Sequence, residues 1–90
     1  MVNLKLYAWV VRGRQRTAIM KVMSKPQTPT EIRKKSIQYN LKISLNNASD
    51  ILRSFVGQGL AVCLNEEAKT GRLYQLTKEG EEIRDELMKE

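Results

Sequence analysis

"GLAVCLNEEAKTGRLYQLTKEG", residues 59–80, decides how this 90-residue chain is read. It holds two short β-prone runs, "LAVCL" (60–64) and "RLYQL" (72–76), around the polar stretch "NEEAKTG" (65–71). Two such runs with a seven-residue connection predict a β-hairpin. Thr77 follows at once and is suited to cap a helix. "KEGEEIRDELMKE" (78–90) supplies that helix, with Ile83 and Leu87 four residues apart on one face.

Upstream of the hairpin, Ser44 is a second natural helix cap, and Gly59 is placed to stop what it starts. At about 100° per residue, a helix from Leu45 to about Gln58 puts Ala48, Leu52 and Phe55 on one face with Ile51 beside them. The opposite face holds Asn46, Asp50, Arg53 and Ser54, and Asn47 and Ser49 lie on the flanks. "TPTEI" (28–32) is a third start signal. Thr28 is the cap, Pro29 the first helical residue, and Glu31 completes a capping box. This predicts a helix from Pro29 to about Tyr39, which Asn40 leaves in a left-handed conformation. "RQRTAIMKVMS" (14–24) carries Ile19, Val22 and Met23 at helical spacing and ends before Lys25-Pro26. "LKLYAWVV" (4–11), set off by Gly13, reads as a short helix or an extended arm. No repeat, linker or low-complexity segment interrupts the chain.

Composition removes several kinds of chemistry. There is no histidine and a single cysteine, so neither an intrachain disulfide nor an ordinary zinc site is available. Cys63 sits in an apolar run with no imidazole to activate it, so it reads as packing. No phosphate-binding glycine loop is visible. The expectation is a protein without enzymatic activity and with no cofactor. An apolar fraction of 41% argues against a disordered tail. No apolar run approaches a membrane span and no signal-peptide pattern opens the chain, so a cytoplasmic protein is expected.

Charge gives the positive clue. The net charge is +6, and residues 1–45 hold ten Lys/Arg against one acidic residue, a balance of +9. Residues 46–90 hold six Lys/Arg against nine acidic residues, a balance of −3. A basic half on a small folded chain suits a polyanion, most often nucleic acid.

The order of elements is helix, helix, helix, hairpin, helix, an α+β fold that is mainly α. "TPTEI", "SLNNASDIL" and "GLAVCLNEEAKTGRLYQLTKEG" resemble small archaeal winged helix-turn-helix transcriptional regulators of the ArsR-like and MarR-like groups. The resemblance spans about residues 14–82, and "GRLYQLTKEG" is its most specific part. The segment from Ile32 to Ser44 is longer than in a compact helix-turn-helix, which implies either an extra helical turn or a wider connection. The resemblance implies one domain over residues 1–90 that binds double-stranded DNA and regulates transcription.

On that resemblance, the helix from Leu45 enters the major groove with its N-terminal turns. Asn46 and Asn47 offer the paired donor and acceptor that match an adenine edge. Ser44 and Ser49 are short hydroxyls that reach the DNA backbone, and Arg53 reaches a guanine edge or a phosphate. Asp50 either accepts from a cytosine amino group or pairs with a neighbouring arginine. Thr28, Thr30 and Lys42 contact the DNA backbone near the helix-turn-helix, with Arg12, Arg14, Arg16, Lys34 and Lys35 as further positioning residues. Lys69 and Arg72 are the wing contacts, set against Glu66 and Glu67 nearby. Trp9 and Tyr7 either cap the monomer core or join the last helix in a homodimer built from the N-terminal segment and C-terminal helix. The competing function is a winged-helix protein-interaction module in a transcription or nucleic-acid-processing complex, favoured by the acidic last helix and the mixed-charge wing. RNA binding ranks third, because no exposed aromatic stacking cluster is evident.

Overall fold

The computed structural model of the chain describes residues 2–39 and 42–89. Its helices are α1 (Leu4–Val11), α2 (Arg14–Val22), α3 (Pro29–Ser36), α4 (Leu45–Gly57) and α5 (Lys78–Met88). A 3-10 turn covers Ile37–Tyr39, and the strands are β1 (Ala61–Cys63) and β2 (Tyr74–Leu76). The stretch at residues 4–11 is therefore a helix and not an extended arm. Asn3 caps it by accepting from the Leu6 N–H at 3.2 Å.

Each helix predicted from a cap starts at that cap. Thr28 Oγ1 accepts from the Glu31 N–H, and the Glu31 carboxylate accepts from the Thr28 N–H, closing the capping box. Ser44 Oγ accepts from the Asn47 N–H at 3.1 Å. Thr77 Oγ1 accepts from the Gly80 N–H at 3.2 Å. Helix ends are less faithful to the expectation. The second helix stops at Val22 and not Ser24, because Met23 already leaves the helical region at φ −82°, ψ 72°. The third keeps α geometry only to Ser36 and then tightens into the 3-10 turn. That turn takes up three residues of the long segment before Ser44. The expected left-handed exit at Asn40 lies outside the described residues.

The helices enclose one apolar cluster. Ile19, Met20, Ile32, Leu52, Phe55, Leu60 and Ile83 are fully buried, with Ala48 and Leu87 beside them. Burying each large side chain is worth about 1.5–3 kcal/mol. Trp9 packs edge-on against Phe55, with ring centres 5.9 Å apart. Arg84 Nε donates to the Lys21 carbonyl at 3.1 Å and ties α5 to the end of α2.

The two strands pair antiparallel, Ala61 opposite Leu76 and Cys63 opposite Tyr74. They are shorter than the apolar runs, so residues 64–73 connect them instead of the seven expected. The Leu64 N–H still donates to the Leu73 carbonyl at 2.8 Å and carries the ladder one pair further. A third segment joins the sheet: Gln27 and Tyr74 exchange backbone hydrogen bonds at 3.1 and 2.9 Å. Gln27 is fully buried. With its amide turned to satisfy both ends, it donates to the Val22 and Lys25 carbonyls and accepts from Lys35 Nζ. This anchors the hairpin to the loop that leads into α3.

Candidate nucleic-acid interface

Helix α4 carries the residues of interest. Its amphipathic pattern buries Ala48, Leu52 and Phe55 and leaves Asn46, Asn47, Asp50 and Arg53 exposed. The outward side is not covered by any other described element. Arg53 and Asp50 form an ion pair on this surface, with side chains 63% and 66% exposed. Arg53 Nε also lies 3.4 Å from the Ser49 carbonyl. Of the two partners foreseen for Asp50, the neighbouring arginine is the one present. An exposed pair of this kind contributes about 0–1 kcal/mol to stability.

An open groove of about 430 Å³ runs between α4, the start of α3 and the hairpin loop. Six of the predicted site residues line it: Thr28, Thr30, Ser49, Arg53, Lys69 and Arg72. The other five do not. Lys42, Ser44, Asn46 and Asn47 are exposed outside it, and Asp50 faces a second depression on the far flank of α4. That depression is floored by Trp9 and Ile51 and edged by Arg14 and Arg16. The Arg16 guanidinium stacks 4.5 Å from the centre of the Trp9 ring.

Several predicted donors have internal partners. The Thr28 hydroxyl both accepts from the Glu31 N–H and donates to the Glu31 carboxylate. The Thr28 N–H and, after it, the Thr28 hydroxyl donate to the Glu31 carboxylate and hold it below its ordinary pKa, with the charges of Lys25 and Lys35 assisting. Lys35 turns to Gln27. Arg72 Nε donates to the Ala68 carbonyl at 2.8 Å, which fixes its side chain along the hairpin loop.

The hairpin loop is shaped by Asn65, a residue whose role the sequence did not reveal. Its Oδ1 accepts from the Leu73 N–H at 2.6 Å, and its Nδ2 donates to the Gly71 carbonyl at 3.2 Å. Gly71 sits at φ 67°, where a side chain would be strained. The resulting path separates the charges of the wing. Lys69 and Arg72 line the groove beside α4, while Glu66 and Glu67 line a depression with Cys63 and Leu64. The groove also contains Leu45, Pro29, Thr70 and Tyr74.

A helix presented beside a helix N-terminus, with a β-hairpin flanking it, is a specific arrangement. The fold is a winged helix-turn-helix. Among solved structures it is similar to the multiple antibiotic-resistance repressor (MarR) from Listeria monocytogenes, with a TM-score of 0.69 and 21% sequence identity. The match covers 94% of this winged-helix chain and 55% of that repressor, so the chain spans about half the length of its structural neighbour. No protein-family model matches the chain, and no curated protein matches its sequence. Among the described residues no helix is long and apolar enough to cross a membrane. None of them forms a group of three or more Cys, Asp or Glu able to hold a metal ion.

Proposed function

We propose that this chain is a single winged-helix domain that binds double-stranded DNA in a sequence-specific way and regulates transcription, without enzymatic activity and in the cytoplasm. The observation that carries the reading is the basic groove: Arg53 on α4 and Lys69 and Arg72 on the wing face one concave surface beside an unobstructed helix. The net charge of +6 is the long-range counterpart of that groove. The solved MarR structure shares the fold and is named as a repressor.

In the proposed complex, α4 lies in the major groove. Asn46, on the outward ridge, and Arg53 read base edges, in the pairings asparagine–adenine and arginine–guanine. Asn47 and Ser49 sit on opposite flanks of that ridge, and Ser44 and Lys42 lie near its start. Thr30 and Lys69 contact phosphates and set the register. Arg72 supports the loop that carries Lys69. Asp50 holds Arg53. Two copies pair through α1 and α5, where Leu4, Val11 and Met88 leave apolar surface exposed, so that two recognition helices meet paired half-sites.

In-vitro selection of bound duplexes by the purified protein tests this reading. The expected result is a preferred sequence whose affinity falls steeply with salt, by about 0.9 log unit per log unit of salt for each phosphate neutralised. Equal weak binding to all duplexes and to RNA, with tight capture of a protein partner instead, favours the interaction-module reading that Glu66 and Glu67 on the wing support.

A further inference from the structure

We propose that Leu45 is a specificity-determining residue that recognises the 5-methyl group of a thymine in the bound duplex. The proposal rests on the DNA-binding reading above. Leu45 is the first residue of α4, lines the basic groove, and is 46% exposed. The core does not require it there. Ala48, Leu52 and Phe55 fill the inner face of the helix. The entry angle of the chain is fixed by Ile43, just before the cap, and Ala48, both buried in the cluster. A polar residue at this first helical position would serve the helix equally well. The other large apolar side chains exposed among the described residues are Leu4, Val11, Ile37, Val62, Leu64 and Met88, and none of them lines this groove.

An isobutyl group in a basic groove has a narrow set of partners. It offers nothing to a phosphate and cannot hydrogen-bond to a base edge. The major groove displays one apolar group, the thymine methyl. The first turn of a recognition helix is the part that reaches base edges. Leu45 on the wing side of α4 therefore complements a thymine next to the base pair that Asn46 addresses. Because uracil lacks the methyl group, the same contact favours DNA over RNA of equal sequence.

The experiment replaces each thymine of the selected duplex with uracil in turn and measures affinity by fluorescence anisotropy for the wild type, Leu45→Ala and Leu45→Met. At one A·T pair per recognition helix, loss of the methyl group should weaken wild-type binding roughly four-fold, the value of one buried methyl-sized group. The same replacement should leave Leu45→Ala unaffected and should still weaken Leu45→Met. Melting curves of both variants should match the wild type, since the side chain lies at the surface. A wild type indifferent to uracil at every position, or an equal loss in Leu45→Ala, overturns the assignment of Leu45 alone. A selection that returns no preferred sequence overturns it together with the DNA-binding reading.

Discussion

Replacing Gly80 with alanine gives a test in which two physical effects predict opposite signs. Gly80 lies in the first turn of α5, where alanine is favoured over glycine by up to about 1 kcal/mol on helix propensity alone. The surroundings reverse this. A β-carbon at Gly80 would stand 2.1 Å from the Leu60 carbonyl oxygen and 3.0 Å from Leu76 Cδ2. The first contact is with backbone, which cannot rotate away, so α5 and the start of β1 must separate by about 1 Å. Overpacking of this kind costs about 1–3 kcal/mol, and sometimes more. The same carbonyl accepts from the Thr77 N–H at 3.0 Å, and straining that bond adds about 1 kcal/mol. With the propensity gain set against these costs, the net expectation is a loss of about 1–3 kcal/mol, against a total of roughly 5–13 kcal/mol for a chain of this size. A domain of this length loses about 4–8 °C in Tm per kcal/mol, so a drop of roughly 4–24 °C is expected. Urea and thermal melts followed by circular dichroism measure it. Gly57, at the end of α4, has nothing within 4 Å of the equivalent position. Gly57→Ala should therefore be neutral or stabilising by up to about 1 kcal/mol. If Gly80→Ala melts at or above the wild-type temperature, the close approach of α5 to the wing is wrong, and with it the placement of the hairpin.

Thr28→Ala should cost about 1–2 kcal/mol in chemical denaturation by opening the capping box. The same box makes stability depend on pH. The folded-state pKa of Glu31 is depressed. Its stabilisation is therefore present above the unfolded value of about 4.3 and lost as pH falls through the lower folded value. Glu31→Gln should flatten the acid limb of a stability-versus-pH curve, and an unchanged limb counts against the box. Arg53→Ala should cost about 1–3 kcal/mol on the selected duplex and relax preference at one base pair, whereas Lys69→Ala should weaken all duplexes alike and reduce the salt slope by about one unit. The reverse pattern in competition titrations exchanges their roles. Leu4→Glu combined with Val11→Glu should convert a dimer to a monomer in sedimentation equilibrium while leaving the fold intact. A wild type that is monomeric at all concentrations removes the proposed interface.

The parts of this fold legible in the sequence are those fixed by neighbours within about four residues. Thr28, Ser44 and Thr77 have hydroxyls that satisfy amides three positions on, so each helix start follows from local chemistry. The buried face of α4 follows from its period for the same reason. The Gln27–Tyr74 bridge is different. It joins one residue to another far along the chain, and a single bridging residue has no alternation to betray it. The clasp made by Asn65 and the close approach at Gly80 also depend on where distant segments pass. That is why the sequence showed Lys69, Arg72, Glu66 and Glu67 as one mixed-charge loop, while in three dimensions the basic and acidic residues face separate depressions. Leu45 sits at the edge of the apolar stripe of α4, where periodicity assigns it to neither face.

The two flanks of α4 bear on how a duplex would fit. On one side lies the groove with Ser49, Arg53 and the basic residues of the wing; on the other lies the depression with Asp50, Ser54, Arg14 and Arg16. An α-helix with its side chains is about 10–12 Å across, and the DNA major groove is about 12 Å wide. A helix seated there would meet both walls at once, so positive charge on both flanks would serve it, with the proposed readout coming from the ridge and the first turn. Asn46 is on that ridge. Asp50 stands beside the arginines of α2, where a bare carboxylate would repel the nearer phosphates. Its pairing with Arg53 offsets part of that repulsion. The carboxylate that argues against DNA binding in the bare sequence is thus, in the folded helix, paired with Arg53, the arginine proposed to read a base edge.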